Sequence, residues 1–146
     1  MILIIGGMCQ GKHDFCKREF PDGNIIDNYE ERVREELDKG LDPLLEAERW
    51  LDSVDGSYFG STIGSTETCD ARLYSVNQDT GKTDTKKTSA VKSELIILMR
   101  EVGSGVVPMD KSERIWREQT GRVSCFFAER ADRVYRMLAG IPQRLK

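Results

Sequence analysis

Two continuous apolar runs, Met1–Ile5 and Leu95–Met99, stand out from a chain whose other apolar positions mostly recur at helical spacing. Ile2–Ile5 and Glu94–Met99 read as short strands buried on both faces, as in a parallel sheet. Behind the first, Asp14–Phe20 predicts a helix stopped by the turn cluster Pro21-Asp22-Gly23. Asn24–Asp27 is a short strand candidate. Tyr29, Val33 and Leu37 at i, i+4 and i+8 predict a helix that ends at Gly40. Asp42 and Pro43 start another, with Leu44, Leu45, Ala47, Trp50 and Leu51 as its apolar face. Asp110 with Glu113 forms a capping-box start for a long helix whose inner face includes Ile115, Trp116, Val123, Phe126 and Phe127. Arg133–Ala139 reads as the last strand, closed by Gly140-Ile141-Pro142. Strands alternating with helices predict one α/β domain over residues 1–146 with a mainly parallel sheet. Ligands in such sheets sit beyond the carboxyl ends of the strands, which groups the loops 6–13, 100–108 and 140–143.

Residues 53–93 break this order. Fourteen of these forty-one residues are Ser or Thr, large apolar residues are sparse, and no period of 2 or 3.6 persists. Such a stretch inside a compact domain is unusual. It reads either as a disordered insertion or as degenerate sequence that no longer encodes its elements. Gly81-Lys82-Thr83 imitates the end of a phosphate loop but lacks the upstream glycine and strand.

Composition narrows the function classes. A net charge of −3 over 146 residues gives no global basic field for nucleic acid. The charge is uneven, −6 over residues 1–52 and +3 over 94–146, most simply as solvated helix faces. Cys9, Cys16, Cys69 and Cys125 form no C-x-x-C pair, and the single histidine cannot build a Cys/His zinc site. Met1–Met8 is too short for a signal h-region, and no run reaches membrane-spanning length. The expectation is a cytoplasmic protein with free thiols.

The chemistry concentrates in Gly6-Gly7-Met8-Cys9-Gln10-Gly11-Lys12-His13, directly behind the first strand. It fits the phosphate-loop pattern G-x-x-x-x-G-K-[ST] except at the last position. Glycines let the backbone turn its N–H groups toward a polyphosphate, the lysine reaches the outer phosphates, and the following helix adds its positive end. His13 stands where a hydroxyl normally ligates Mg²⁺, and imidazole is a poor substitute for that hard oxygen. A second glycine-rich loop, Arg100–Pro108, follows the later buried strand. Arg100 is open between a phosphate partner and a surface arginine.

Taken together, Met1–Lys12, the loop E-V-G-S-G-V-V-P (Glu101–Pro108), the helix with W-R-E-Q-T-G-R (Trp116–Arg122) and the ending A-G-I-P-Q-R-L-K (Ala139–Lys146) resemble one family. It is the bifunctional adenosylcobinamide kinase / adenosylcobinamide-phosphate guanylyltransferase family of cobalamin assembly. The resemblance covers residues 1–20 and 94–146 well, 24–51 loosely and 53–93 not at all. It implies a P-loop NTPase-like α/β fold, often trimeric, and phosphorylation of the aminopropanol hydroxyl of adenosylcobinamide with ATP or GTP and Mg²⁺. It also implies GMP transfer through a guanylylated histidine. By position, Gly6, Gly7, Gly11 and Lys12 would cradle the triphosphate within the loop Gly6–His13. Glu101, Gly103, Gly105 and Pro108 would form the facing loop, with Lys12 and Glu101 as the catalytic pair. This sequence departs from the family at three places. His13 replaces the hydroxyl, no histidine lies between Asn24 and Trp50 where the guanylylated residue belongs, and the family's central-strand acid would fall within 53–93. A kinase without guanylyl transfer is the leading expectation. A nucleotide-binding relative acting as a partner or regulatory protein is the alternative, and a decayed product is the third reading.

Overall fold

In the computed structural model, which describes residues 1–57 and 94–146, five strands form one sheet in the order β2-β3-β1-β4-β5. The strands are β1 (Ile2–Gly6), β2 (Asn24–Ile26), β3 (Leu95–Arg100), β4 (Arg133–Leu138) and β5 (Ile141–Arg144). The helices are α1 (Lys12–Glu19), α2 (Tyr29–Asp38), α3 (Pro43–Ser57) and α4 (Lys111–Arg130). β1 pairs in parallel with β3 and β4, β2 with β3 likewise, and β5 runs antiparallel to β4. The predicted α/β architecture with a mainly parallel sheet is therefore what the chain adopts.

The apolar runs explain the layering. Successive strand residues point to opposite faces, so Ile2 and Ile4 join Ile96, Leu98 and Met137 under Phe15 and Cys16 of α1. Leu3, Leu95, Ile97, Met99 and Val134 point the other way, against α2, α3 and α4. On that second face Tyr29 and Phe127 meet edge to face with ring centroids 4.8 Å apart, and Trp50 packs tilted against Tyr29 with centroids 5.4 Å apart. The adjacent strands β1 and β3 thus lead into helices on opposite faces of the sheet. The crevice between their carboxyl ends is where open α/β sheets place ligands.

Helix boundaries follow local chemistry. α2 stops as predicted at Gly40 (φ 72°), where Leu41 N–H donates to the Glu36 carbonyl at 2.9 Å, the six-to-one bond of a Schellman ending. Asp42 Oδ1 accepts Leu44 N–H at 2.9 Å and opens α3. Asp110 caps α4 by accepting from the N–H groups of Ser112 and Glu113.

Several expectations need correction. The Glu113 carboxylate does not return to the cap; it pairs with Arg34, with Arg34 Nη1 at 2.5 Å. Leu45 and Ile115 are exposed, at the margins of faces that otherwise bury the residues read from the sequence: Ala47 and Leu51 in α3, Trp116, Val123 and Phe127 in α4. Residues 53–57 complete α3 instead of opening a structureless stretch, whereas 58–93, including Gly81-Lys82-Thr83, lies outside the described residues. Arg133–Leu138 is not the last strand. Ala139 (φ 50°) and Gly140 (φ 80°) form a two-residue turn of the kind that joins hairpin strands, and β5 follows.

Candidate functional site

The sheet register brings the glycine loops together. Gly6 at the end of β1 lies beside Arg100 at the end of β3, and Glu101 N–H donates to the Gly6 carbonyl at 3.1 Å. Gly6 must stay small: a Cβ there would lie 2.9 Å from the Met137 carbonyl oxygen. The loop then bends through Cys9 and Gly11, both with positive φ (56° and 77°). Gly7 N–H donates to Gln10 Oε1 at 3.0 Å, so a side chain of the loop itself satisfies one of its backbone donors.

Lys12 begins α1. Its ammonium donates to the Gly7 carbonyl at 2.8 Å and the Gly6 carbonyl at 3.2 Å. Burial lowers its pKa below the ordinary lysine value, an effect opposed by the nearby Glu30 and Asp27 carboxylates. Met8, Cys9, Gln10, Lys12 and His13 line a cavity of about 270 Å³, completed by Asn28, Glu30 and Arg100.

His13 Nε2 sits 2.7 Å from Asp27 Oδ2, the residue just past β2. The Asp27 carboxylate also accepts Asn28 N–H at 2.8 Å and Asn28 Nδ2 at 3.0 Å, which leaves it well satisfied. Glu30 was not foreseen from sequence. Fully buried, it accepts Arg100 N–H at 3.0 Å and Arg100 Nε at 3.2 Å, and its carbonyl accepts Trp116 Nε1–H at 2.8 Å. Arg100 also reaches Glu31 at 2.6 Å. The one signal for this arrangement was Arg100 itself, a cation closing a wholly apolar strand and so in need of a counter-charge.

The second loop occupies a neighbouring place. Glu101 accepts from Arg136 Nη2 at 3.0 Å and from Ser104 Oγ at 2.7 Å. It lines a separate cleft of about 150 Å³ with Arg100, Val102, Gly103 and Thr120. Arg100 borders both cavities, and Lys12 and Glu101 line different ones. Two arginines of α4 hold the loop's backbone. Arg117 donates to the carbonyls of Gly103 (2.6 Å), Val106 (2.7 Å) and Gly105 (3.5 Å), and Arg114 to those of Pro108 (3.1 Å) and Met109 (2.5 Å).

Among the described residues, no group of three or more His, Cys, Asp or Glu side chains is arranged to hold a metal ion. The donor set beside Lys12 does not fit a protein-held Mg²⁺: imidazole replaces the hydroxyl, and Glu30 is committed to Arg100. Nor is any helix among the described residues long and apolar enough to cross a membrane.

Comparison with known families bears on the same elements. The sequence model of the cobinamide kinase / cobinamide phosphate guanyltransferase family matches residues 62–145, more than half of the chain. The match takes in β3, α4, β4 and β5 and starts inside 53–93. The expectation that this stretch carries no resemblance is thereby corrected, while the loop Gly6–His13 lies outside the matched residues. Compared individually with curated proteins, the chain matches none. The mainly parallel sheet with helices on both faces agrees with the P-loop NTPase-like fold that the family implies. The chain belongs to the cobinamide kinase / cobinamide phosphate guanyltransferase family, nucleotide-dependent enzymes of cobalamin biosynthesis.

Proposed function

We propose that this chain carries the phosphotransferase half of its family's chemistry. It would transfer the γ-phosphoryl group of ATP or GTP to the aminopropanol hydroxyl of adenosylcobinamide, without guanylyl transfer. The observation that carries this reading is the Lys12 ammonium, held at the start of α1 by two loop carbonyls inside the Gly6–His13 cavity. Phosphate oxygens form stronger, charge-assisted bonds to an ammonium than neutral carbonyls do. The backbone N–H groups at the start of α1 add donors and a favourable dipole. Phosphoryl transfer asks mainly for positioning and neutralisation of charge, which Lys12 supplies at the outer phosphates. Arg100 borders the same cavity as a second cation, restrained by Glu30 and Glu31.

Guanylyl transfer through a covalent histidine needs a nucleophile besides the phosphate-loop residues. His13 is the single histidine of the chain, and it sits in that loop, paired with Asp27. Because the residues present do not fit a protein-held Mg²⁺, no step of this reading runs through one.

The His13–Asp27 pair also favours a second reading, a nucleotide-binding relative that acts as a partner or regulatory protein. Transfer of labelled γ-phosphate to adenosylcobinamide separates the two, with the protein band checked for covalent GMP. Labelled corrinoid and an unlabelled band support the kinase. Triphosphate binding without transfer supports the second reading.

A further inference from the structure

Among the described residues, the cavity at the phosphate loop is lined by two permanent cations, Lys12 and Arg100, and one carboxylate, that of Glu30. Lys12 enters from α1, and Arg100 from the end of β3, which the parallel register sets beside Gly6. Burial lowers the Lys12 pKa most, and the Arg100 charge lowers it further, so the two cations repel each other across one space. A bound polyanion relieves that repulsion, whereas a further cation adds to it.

The carboxylate is closed to a metal. Glu30 is fully buried, and both its oxygens accept from Arg100, Oε1 from Nε at 3.2 Å and Oε2 from the backbone N–H at 3.0 Å. Mg²⁺ is ordinarily held through one or two carboxylates besides the substrate's phosphates, and the described lining offers no second one. Arg100 is differently placed. Its guanidinium has five N–H donors. Nε is bonded to Glu30 and Nη2 to Glu31 at 2.6 Å, but neither bond uses Nη1, and 26% of the side chain is exposed. A guanidinium pinned along one edge and open along the other is preorganised for phosphate oxygens, which match its planar fork.

Resting on the phosphotransferase reading above, we infer that this site takes its nucleoside triphosphate in the metal-free form. Arg100 is then a phosphate ligand beside Lys12, supplying fixed positive charge where a protein-held divalent cation has no place. Glu30 is a positioning residue, which holds Arg100 at the cavity and tempers its charge.

Titration calorimetry with non-hydrolysable ATP and GTP analogues, in EDTA and in excess magnesium, tests this on the whole chain. The parent is expected to bind the metal-free form of one analogue at least as tightly as its magnesium complex. Tighter binding of the magnesium complex overturns the inference and leaves the phosphotransferase reading standing. No binding of either analogue in either form overturns both.

Glu30→Gln combined with Arg100→Gln removes the two charges together, so no buried carboxylate is left unpaired. Metal-free binding is expected to weaken about 10- to 100-fold, the loss of one charge-assisted hydrogen bond. Glu30→Gln alone keeps Arg100 and frees it from one of its two carboxylates. Metal-free affinity should then rise about 3- to 10-fold, which a purely structural role for Arg100 would not produce. A double variant that binds the metal-free analogue like the parent overturns the inference. So does a Glu30→Gln chain that keeps a cooperative thermal transition and binds more weakly. The comparison of the two forms on the parent needs no variant to fold.

Discussion

His13 Nε2 lies 2.7 Å from Asp27 Oδ2, tying the first turn of α1 to the residue that follows β2. The position after the lysine of a phosphate loop ordinarily presents a hydroxyl to Mg²⁺. Here it makes an internal contact between two loops. His13→Ser frees Asp27 and restores the oxygen donor. The expected outcome is an apparent Mg²⁺ affinity in nucleotide binding raised by about 10-fold, the scale of a ligand-shell change. Magnesium titrations of parent and variant that superimpose would show that the metal never depended on this position.

Lys12→Ala removes the cation that would meet the outer phosphates. Phosphoryl transfer to adenosylcobinamide is expected to fall by roughly 10²–10³, the usual cost of one electrostatic donor. Far-UV circular dichroism should be unchanged, since among the described residues the ammonium bonds to the loop carbonyls of Gly6 and Gly7. Parent-like turnover would place the phosphates elsewhere.

The same lysine sets an alkaline limit. Burial lowers its folded pKa, and the ammonium is the form that binds phosphate. The charge is therefore lost as pH rises through a value below the ordinary lysine pKa of about 10.4. Triphosphate affinity should decline with a midpoint on the acid side of that value. The stability effect has the opposite sign: the cost of burying the charge is present at neutral pH and is relieved as pH rises through the folded pKa. Affinity titrations between pH 8 and 11 read the first effect, and a midpoint at or above the ordinary value contradicts it.

Glu30 joins three elements, through its carboxylate to Arg100 of β3 and through its carbonyl to Trp116 of α4. Glu30→Gln keeps the shape and removes the charge, leaving Arg100, among the described residues, with the Glu31 carboxylate. A destabilisation of about 2–4 kcal/mol is expected, toward the lower end because Arg100 keeps some contact with water. Urea unfolding measures it. A midpoint shift worth less than about 1 kcal/mol would mean that Glu31 carries the pairing alone.

Ala139 holds a positive φ of 50° in the turn between β4 and β5. An L-residue there costs roughly 1 kcal/mol that glycine avoids. Ala139→Gly is expected to stabilise by about 0.5–1 kcal/mol, whereas Gly140→Val, at φ 80°, should destabilise. Thermal unfolding of the two variants should move in opposite directions.

What the sequence disclosed was what neighbours in the chain decide. Ile2–Ile5 and Leu95–Met99 had to be strands covered on both faces, because unbroken apolar runs leave no side for water. Tyr29, Val33 and Leu37 fixed α2 by spacing alone, and the alternation of elements gave the parallel sheet. Distant partners were not legible. Glu30 reads as one more acid in a charged helix until β3 brings Arg100 beside it. Glu113 satisfied a capping pattern, yet Arg34, 79 residues away in the chain, holds its carboxylate. Leu45 and Ile115 flank faces that the pattern otherwise marked correctly, since the docking of each helix decides how wide a stripe is covered. Ile141–Arg144 lacks strand-like alternation altogether. Its pairing is created by the Ala139–Gly140 turn.

That short strand has a consequence for how the molecule behaves among its own copies. Leu145 N–H donates to the Val134 carbonyl at 2.8 Å, so by two-residue alternation Gln143 and Ile141 also turn their amides toward β4. Pro142 and Arg144 then face outward. The outer rim of the sheet presents a residue with no amide hydrogen and, two positions on, a charged side chain. A strand arriving from another chain would find one donor missing, on a strand that also carries a charged residue, as in edges guarded against aggregation. Among the described residues, β5 is the outermost strand on this side, and Pro142 makes it a poor template for a further one.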